Sequence, residues 1–402
     1  MSVNSNLSNE SKVLIDLLAN SLFNAEIKID LNNINLKTLF NEAWSQTVLA
    51  LAFDSLPSDA RSQNEELYDS WQLLSFSVIQ KNAKQLYSNS ELEIVFNNAN
   101  IPICTIKGFA SNYFYGDKKH LRQMGDIDFI VPVEKISDSK NLLLNNGFEC
   151  MQDEEDHDFH IAFKKNDELY EMHKGITSLL DGNENIEKYI ADIFRTSAKS
   201  DFDSAKITIP DVFSHGLIML LHMKRHMLTG GGVGLRHLCD WAVFVNSIEN
   251  SKWEIVFKEK LNSINLWKFA QVLSKACNIY LKIPEQKWFS EIDTQIADNL
   301  LSDIILSGNF GKKDIKRYQE ILFLSKTIKD ENKLVFYAKG LINKIYSWKP
   351  FYKRHKFLLP FGIIAYVLRT LFLIIFRKKK YSFSDTHKSG KLRNDLYSKL
   401  FK

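Results

Sequence analysis

The sequence predicts an α+β protein in which a small mixed-sheet core is flanked by helical regions on its N-terminal and C-terminal sides. Three observations carry this. Apolar residues recur at helical spacing before about residue 98 and again after Asp211. Between Pro102 and about residue 175 the period becomes that of strands. Proline is scarce, seven in 402 residues, so long helices run without interruption. The regions expected are an N-terminal helical region at 1–98, the α/β core at 99–205, a helical domain at 206–335 that completes a cleft, and a basic, apolar tail at 336–402.

Each element follows from its own pattern. ESKVLIDLLANSLF sets Val13, Leu14, Leu17, Leu18 and Leu22 at helical spacing, and LYDSWQLLSFSVIQKNAKQLYSNSELEIVF keeps the rhythm without Gly or Pro. IPICTIKGFASNYFYG reads as a short strand, 103–106, turning at Lys107-Gly108 into a helix. MGDIDFIVP is the next strand, closed by Pro132. Alternation sends Ile127, Phe129 and Val131 into a core and aims Asp126 and Asp128 together the other way. KISDSKNLLLNNGF is an amphipathic helix with Gly147 as its C-cap. DFHIAFKKNDELYEMHKGI reads as a hairpin with strands at 159–163 and 168–173, Glu171 and His173 on one face, Tyr170 and Met172 on the other. After Asp211, DVFSHGLIMLLHMKRHML and LRHLCDWAVFVNSI are helices on either side of TGGGVG, and more helices run to about residue 335.

Composition narrows the setting. The four cysteines (Cys104, Cys150, Cys239, Cys277) are scattered and give neither a zinc knuckle nor a disulfide framework, which fits a reducing compartment. MSVNSNLSNESK has no apolar signal core, so a cytoplasmic location is expected. The net charge of +4 is unevenly spread: from Ala338 onward sixteen Lys or Arg stand against two acids, Asp385 and Asp395. An acidic body with a basic tail argues against nucleic acid as template or partner, and points to the tail as the part that meets an anionic surface.

Two carboxylates aimed at one point repel unless a cation lies between them. Mg²⁺ (or Mn²⁺) takes carboxylate, phosphate and water oxygens, so Asp126 and Asp128 form a ready ligand pair. Glu171, on the outward face of its strand, is the candidate third ligand of a two-metal site, with ions roughly 3.5–4 Å apart. In such a site one ion activates an attacking hydroxyl and the other holds a triphosphate. The Lys107-Gly108 turn fits this chemistry, because a glycine between strand and helix lets backbone N–H groups approach a phosphate. Lys107 and Arg122 are candidate phosphate cations.

This order of strand, Lys-Gly turn, helix, R-x-x-GDID (Arg122 to Asp128), apolar strand and later strand Glu resembles the DNA polymerase beta-like nucleotidyltransferase superfamily. Within it the chain is most similar to a family of uncharacterised bacterial nucleotidyltransferases. The matching residues are Lys107, Gly108, Arg122, Asp126, Asp128, His160, Glu171 and His173, then His222, His226, Arg236 and Asp240. The resemblance implies transfer of an NMP from an NTP donor to a hydroxyl acceptor, in glycan or metabolite modification, with release of pyrophosphate. Asp126, Asp128 and Glu171 would be catalytic and hold the metal, Glu171 also serving as base; Lys107, Gly108, Ser111 and Arg122 would bind the nucleotide. Superfamily members usually place Ser after the turn glycine; here Phe109 follows Gly108, and Ser111 lies two residues on. The rival reading is a non-catalytic scaffold that keeps the fold and binds nucleotide or docks on a membrane.

Other signals have plainer readings. His222 and His226 stand at i, i+4, a spacing that can chelate zinc, but the zinc-protease pattern needs Glu directly after the first His, where Met223 stands. They are expected to face the cleft or pack between helices, whereas His160 and His173 are expected to line the site or to fill the sheet's polar face. TGGGVG lacks the Lys-Ser/Thr ending of a phosphate loop, so a flexible helix–helix connection is expected. Arg236 and Asp240, one turn apart, are placed to pair with each other, and the resemblance puts them at the cleft. Residues 357–376 are a nearly continuous apolar run, broken by Arg369 and flanked by Lys353, Arg354, Lys356 and the run 377–380. Three readings stand for it: a core helix, a bilayer span, or, with its flanks over 349–380, an element lying on the anionic inner face of a membrane. In the last, each surface Lys or Arg contributes about 1 kcal/mol.

Overall fold

The computed structural model describes residues 7–152, 160–173, 184–203, 205–229 and 231–313, and toward the C-terminus 317, 341–342, 345–346, 348–349, 351–376 and 383–401. The chain divides into two compact units, residues 1–315 and 316–401.

The first unit opens with helices α1 (Asn9–Phe23), α2 (Leu36–Ser45), α3 (Leu49–Asp54), α4 (Ala60–Gln63) and the long α5 (Glu65–Asn98). Three of their starts are set by capping: the side chains of Ser8, Asn35 and Asn64 each accept a hydrogen bond from a first-turn N–H. Leu14, Leu17 and Leu18 of α1 are buried, as their spacing requires. Helix α5 buries Trp71, Val78, Leu92 and Phe96, but also a polar row, Asn82, Gln85 and Asn89. That row has a purpose in the site described below.

The core follows as β1 (Cys104–Thr105), α6 (Lys107–Asn112), β2 (Ile127–Ile130), α7 (Ile136–Asn145), β3 (Glu149–Gln152), β4 (His160–Lys165) and β5 (Glu168–His173). The five strands lie in the order β1-β2-β5-β4-β3, with β2 and β5 parallel and the other pairs antiparallel. One sheet face buries Ile127, Phe129, Ile161, Phe163, Tyr170 and Met172 against Leu92 and Phe96 of α5 and Leu143 of α7. Each such side chain contributes about 1.5–3 kcal/mol on burial. The apolar alternation of β2 therefore fixes which face remains for the carboxylates. The chain leaves α7 through Gly147 at φ +79°.

Two parts of the sheet structure depart from the sequence reading. Strand β1 spans two residues instead of 103–106, and β3 joins the edge beyond β4. After α8 (Glu184–Ala191) and α9 (Ile193–Thr196), β6 (Ala198–Phe202) and β7 (Ala205–Ile209) form a separate hairpin. Its pattern is weak because β6 is mostly exposed; Phe202, Ile207 and Ile209 anchor it against Phe109 and Met124. Phe159, expected to begin the first hairpin strand, lies outside the described residues.

Helices α10 (Val212–Thr229) and α11 (Leu235–Ser247) cover the other side of α6, and the helices Trp267–Leu281 and Thr294–Ser307 pack behind them. The link between α10 and α11 is not the loose connection expected: residues 231–234 are buried. A Cβ on Gly231 would stand 2.3 Å from the Cα of Gly311, so the backbone of the link presses directly on the turn at 309–311. Glycine is required there by contact, and the contact holds Phe310 in place.

In the second unit, helices run over Phe351–Arg354, Leu359–Phe376 and Phe383–Leu400. Ile345, Tyr397 and Leu400 are buried, and Arg393 donates from Nη1 to the carbonyl oxygen of Arg317 at 3.1 Å. Phe357, Phe361, Ile364 and Leu368 are exposed. Among the described residues no helix is long and apolar enough to cross a membrane. The basic run 377–380 and the part of the expected helices that falls at 318–335 lie outside the described residues.

Candidate active site

Strands β2 and β5 are parallel and in register, with Asp128 opposite Glu171 and Ile130 opposite His173; β4 adds His160 opposite His173. Because side chains alternate, Asp126, Asp128, Glu171, His173 and His160 all project from the face opposite the apolar core. The carboxylates of Asp126, Asp128 and Glu171 converge, with one oxygen of each within 4.8 Å of the others.

One cation already stands among them. Lys107, at the junction of β1 and α6 and at φ +53°, donates from Nζ to Asp128 Oδ1 at 2.5 Å and lies 4.0 Å from Glu171. His173 Nε2 is 2.7 Å from the same Asp128 oxygen and 3.4 Å from Glu171 Oε2, and His160 Nε2 is 3.3 Å from Glu171 Oε1. Burial first, and then the charges of Asp128 and Glu171, push the Asp126 carboxyl up to about 6. Burial also opposes the charge on Asp128, but Lys107 and His173 outweigh it and hold that carboxyl well below the usual range. Glu171 is also lowered, burial being overcome chiefly by the adjacent His173. One lysine thus leaves the three acids under-neutralised.

The loop that carries Asp126 is pinned from α5. Asn82 Nδ2 donates to the carbonyl oxygens of His120 (2.8 Å) and Arg122 (2.9 Å), and Gln85 Nε2 donates to that of Gly125 at 2.6 Å. Asn89 Oδ1 accepts from Thr105 Oγ1 of β1. The buried polar row of α5 therefore fixes the backbone leading into Asp126 and ties the Thr105 side chain of the neighbouring strand. Its signal, Asn and Gln at helical spacing inside an otherwise apolar face, is present in the sequence and easily passed over.

Below the acids lies a buried ion pair. Arg122 donates from Nε and Nη2 to the two oxygens of Asp240, both at 2.7 Å, and Tyr115 donates its hydroxyl to the same carboxylate at 2.7 Å. Asp240 therefore pairs with Arg122, 118 residues away, and not with Arg236 one turn before it. Helical spacing made Arg236 a neighbour, but tertiary packing turned the carboxylate toward Tyr115 and Arg122, in the segment that follows α6. Arg122 Nη1 has no hydrogen-bond partner in the protein; a Cβ on Gly108 would approach it to 3.2 Å, so glycine leaves room for the guanidinium. Arg236 reaches the carbonyl oxygen of Gln123 at 3.4 Å, and its Nε has no partner. Burial, then the like charge of Arg122, lowers Arg236 to about 10.

A cavity of about 580 Å³ joins these groups. Every residue singled out in the sequence lines it: Lys107, Gly108, Ser111, Arg122, Asp126, Asp128, His160, Glu171, His173, His222, Arg236 and Asp240. Ser111 is buried, its hydroxyl 3.4 Å from His215 Nε2. The sequence reading did not single out Phe310, His237 and Lys312, which line the far side. There His222, His226 and His237 cluster around the Phe310 ring, with centroids 4.4 Å (His226) and 5.2 Å (His237) from it. These histidines hold no third ligand for a metal: among the described residues the convergent sets are Asp126–Asp128–Glu171 and His160–Glu171–His173.

The buried histidines make stability pH-dependent. Burial pulls His215 down to about 3; burial and the adjacent Arg225 do the same to His226, and His222 and His237 are also depressed. Their folded values lie below the unfolded value near 6.5, so the stability they bring is full above that pH and lost as pH falls toward 3. Each neutral histidine accounts for up to about 1.4 kcal/mol per pH unit over that range. Chemical denaturation at pH 7, 6 and 5 is expected to show a steep loss, and His215→Phe a shallower one.

The profile of a family described as uncharacterised nucleotidyltransferase matches residues 32–282. The match takes in α5, the sheet, the carboxylates and the helices α10 and α11. No curated protein and no solved structure matches the chain.

Proposed function

The chain belongs to this family of uncharacterised nucleotidyltransferases, and on that premise we propose that it is a metal-dependent enzyme moving an NMP from an NTP to a hydroxyl acceptor. The observation that carries the reading is the convergence of Asp126, Asp128 and Glu171 in the cavity beside the Lys107-Gly108 turn. The donor set fits Mg²⁺ or Mn²⁺: three carboxylates, oxygen throughout, with an Asp126 that its neighbours press toward the neutral form. Asp126, Asp128 and Glu171 would hold the ion. When bound, it supplies positive charge against the triphosphate and the developing pyrophosphate.

The remaining work falls to the chain. Lys107 is poised to exchange its contact with Asp128 for a phosphate oxygen, and Arg236 Nε and Arg122 Nη1, without protein partners, offer donors to the same groups. Arg122 has only that one nitrogen to give, because Asp240 holds the other two. The acceptor oxygen forms its bond to the α-phosphorus as the bond to the bridging oxygen breaks, pyrophosphate leaves, and a site carboxylate takes the hydroxyl proton. Incubation of the purified chain with α-labelled NTPs, Mg²⁺ and cell extract is expected to label a product and release pyrophosphate. Nucleotide binding by calorimetry with no pyrophosphate release would replace this reading with the non-catalytic one.

For the second unit we infer peripheral contact with anionic lipid. Phe357, Phe361, Ile364 and Leu368 follow one another at spacings of four, three and four, and all are exposed. Lys353, Arg354 and Lys356 precede them. Sedimentation with phosphatidylserine vesicles is expected to carry the protein down, phosphatidylcholine vesicles to leave it in solution, and Phe361→Glu/Ile364→Glu to abolish the difference.

A further inference from the structure

We propose that His160, Glu171 and His173 form a second metal site, selective for a transition-metal dication of the zinc class, beside the all-oxygen set and sharing Glu171 with it. This rests on direct geometry and does not depend on nucleotide transfer.

The distances are the first argument. Each oxygen of Glu171 faces a different imidazole: Oε1 lies 3.3 Å from His160 Nε2, and Oε2 lies 3.4 Å from His173 Nε2. A charge-assisted N–H···O hydrogen bond is shorter, about 2.7–2.9 Å. Two ligands bound at about 2.1 Å to one tetrahedral ion stand about 3.4 Å apart. The separations therefore match neighbours around a metal better than they match hydrogen-bonded partners.

The second argument is a conflict at His173. Its Nε2 lies 2.7 Å from Asp128 Oδ1 and 3.0 Å from Lys107 Nζ, while those two atoms are 2.5 Å apart. Nε2 carries either a hydrogen or a lone pair. With the hydrogen it satisfies Asp128 and confronts the ammonium; with the lone pair it accepts from Lys107 and confronts the carboxylate. No tautomer serves both contacts. A dication accepting the lone pair of Nε2, with the Lys107 ammonium withdrawn, removes the conflict.

The third is placement. His160 and His173 are directly opposed on β4 and β5, with ring centroids 5.4 Å apart, and Ala162 stands opposite Glu171, so a small side chain borders the carboxylate. Imidazole nitrogen favours zinc-class ions over Mg²⁺, whereas three carboxylates favour the reverse. The two sets thus differ in chemistry while meeting at one residue.

Because Asp126 belongs only to the oxygen set and His160 only to the imidazole set, two variants separate them. Binding of Co²⁺, read by its visible absorption, and of Zn²⁺, read by elemental analysis after dialysis against excess Mg²⁺, is measured on the full chain without nucleotide. The wild type is expected to retain one equivalent. His160→Ala should weaken Co²⁺ binding at least about tenfold, the loss that even an outer-sphere partner brings, and Asp126→Asn should leave it intact. Loss of the Co²⁺ spectrum in Asp126→Asn, retention in His160→Ala, or displacement of the ion from the wild type by Mg²⁺ would each overturn the proposal. If His160→Ala does not fold, His160→Gln takes its place, and the competition with Mg²⁺ on the wild type decides on its own.

Discussion

Asp126→Asn is expected to lower nucleotide transfer by on the order of 10³-fold or more, and at the same time to make the metal-free protein more stable at pH 7. The first effect follows from removing a ligand that also tunes the charge at the reacting phosphate, a change of roughly 4 kcal/mol in transition-state stabilisation. The second follows from its pKa. The Asp126 carboxyl is pushed up to about 6 by burial and by Asp128 and Glu171, above its unfolded value near 3.8. A group raised on folding contributes stability below the unfolded pKa and forfeits it as pH rises through the folded one. At pH 7 the charged Asp126 is therefore a burden on the apo protein, on the order of 1 kcal/mol or more, and an amide relieves it. Denaturation of both proteins in chelator at pH 7 and pH 4.5 tests this. The variant should be the more stable at pH 7, and its advantage should shrink toward pH 4.5; equal stability at both would remove the electrostatic account of the site.

Asp240→Ala should have the opposite character, destabilising the protein by about 3–5 kcal/mol. The substitution strands the guanidinium of Arg122, 2% exposed, and the hydroxyl of Tyr115, both of which donate to this carboxylate. Removing one partner of a buried pair leaves the other charged and without solvent. Arg122→Met/Asp240→Leu, which removes both charges, is expected to recover most of the loss in urea denaturation. Recovery of fold without recovery of activity would assign the lost donor, Arg122 Nη1, a part in the reaction. An Asp240→Ala protein as stable as wild type would show that the pair is hydrated.

Much of the site was legible because it is written in short-range periodicity. The alternation through Ile127, Phe129 and Val131 decides the direction of Asp126 and Asp128, and the alternation through Tyr170 and Met172 decides that of Glu171 and His173. The structure brings the two strands into parallel register, which no local pattern could specify. What escaped was long-range or irregular. The partner of Asp240 lies on another element, whereas sequence spacing favours the residue one turn away. The β6–β7 hairpin shows little alternation because one strand is solvated. Phe310 reaches the cavity from a turn at φ +55° whose position is fixed by backbone contact with Gly231, and such contacts leave no trace in hydropathy.

The row Asn82, Gln85 and Asn89 sets a limit on how far the protein can be trimmed. A fragment cut to begin at the first strand would keep Asp126, Asp128, Glu171, Lys107 and Arg122, yet it would lose the amides that grip the carbonyls of His120, Arg122 and Gly125. Asp126 would hang on a loop without these anchors, while Asp128 and Glu171 stayed on their strands. The shortest chain able to hold its carboxylates in register must therefore start no later than Asn64, the residue that caps α5. Helix α5 is a working part of the candidate site, not an appendage to it.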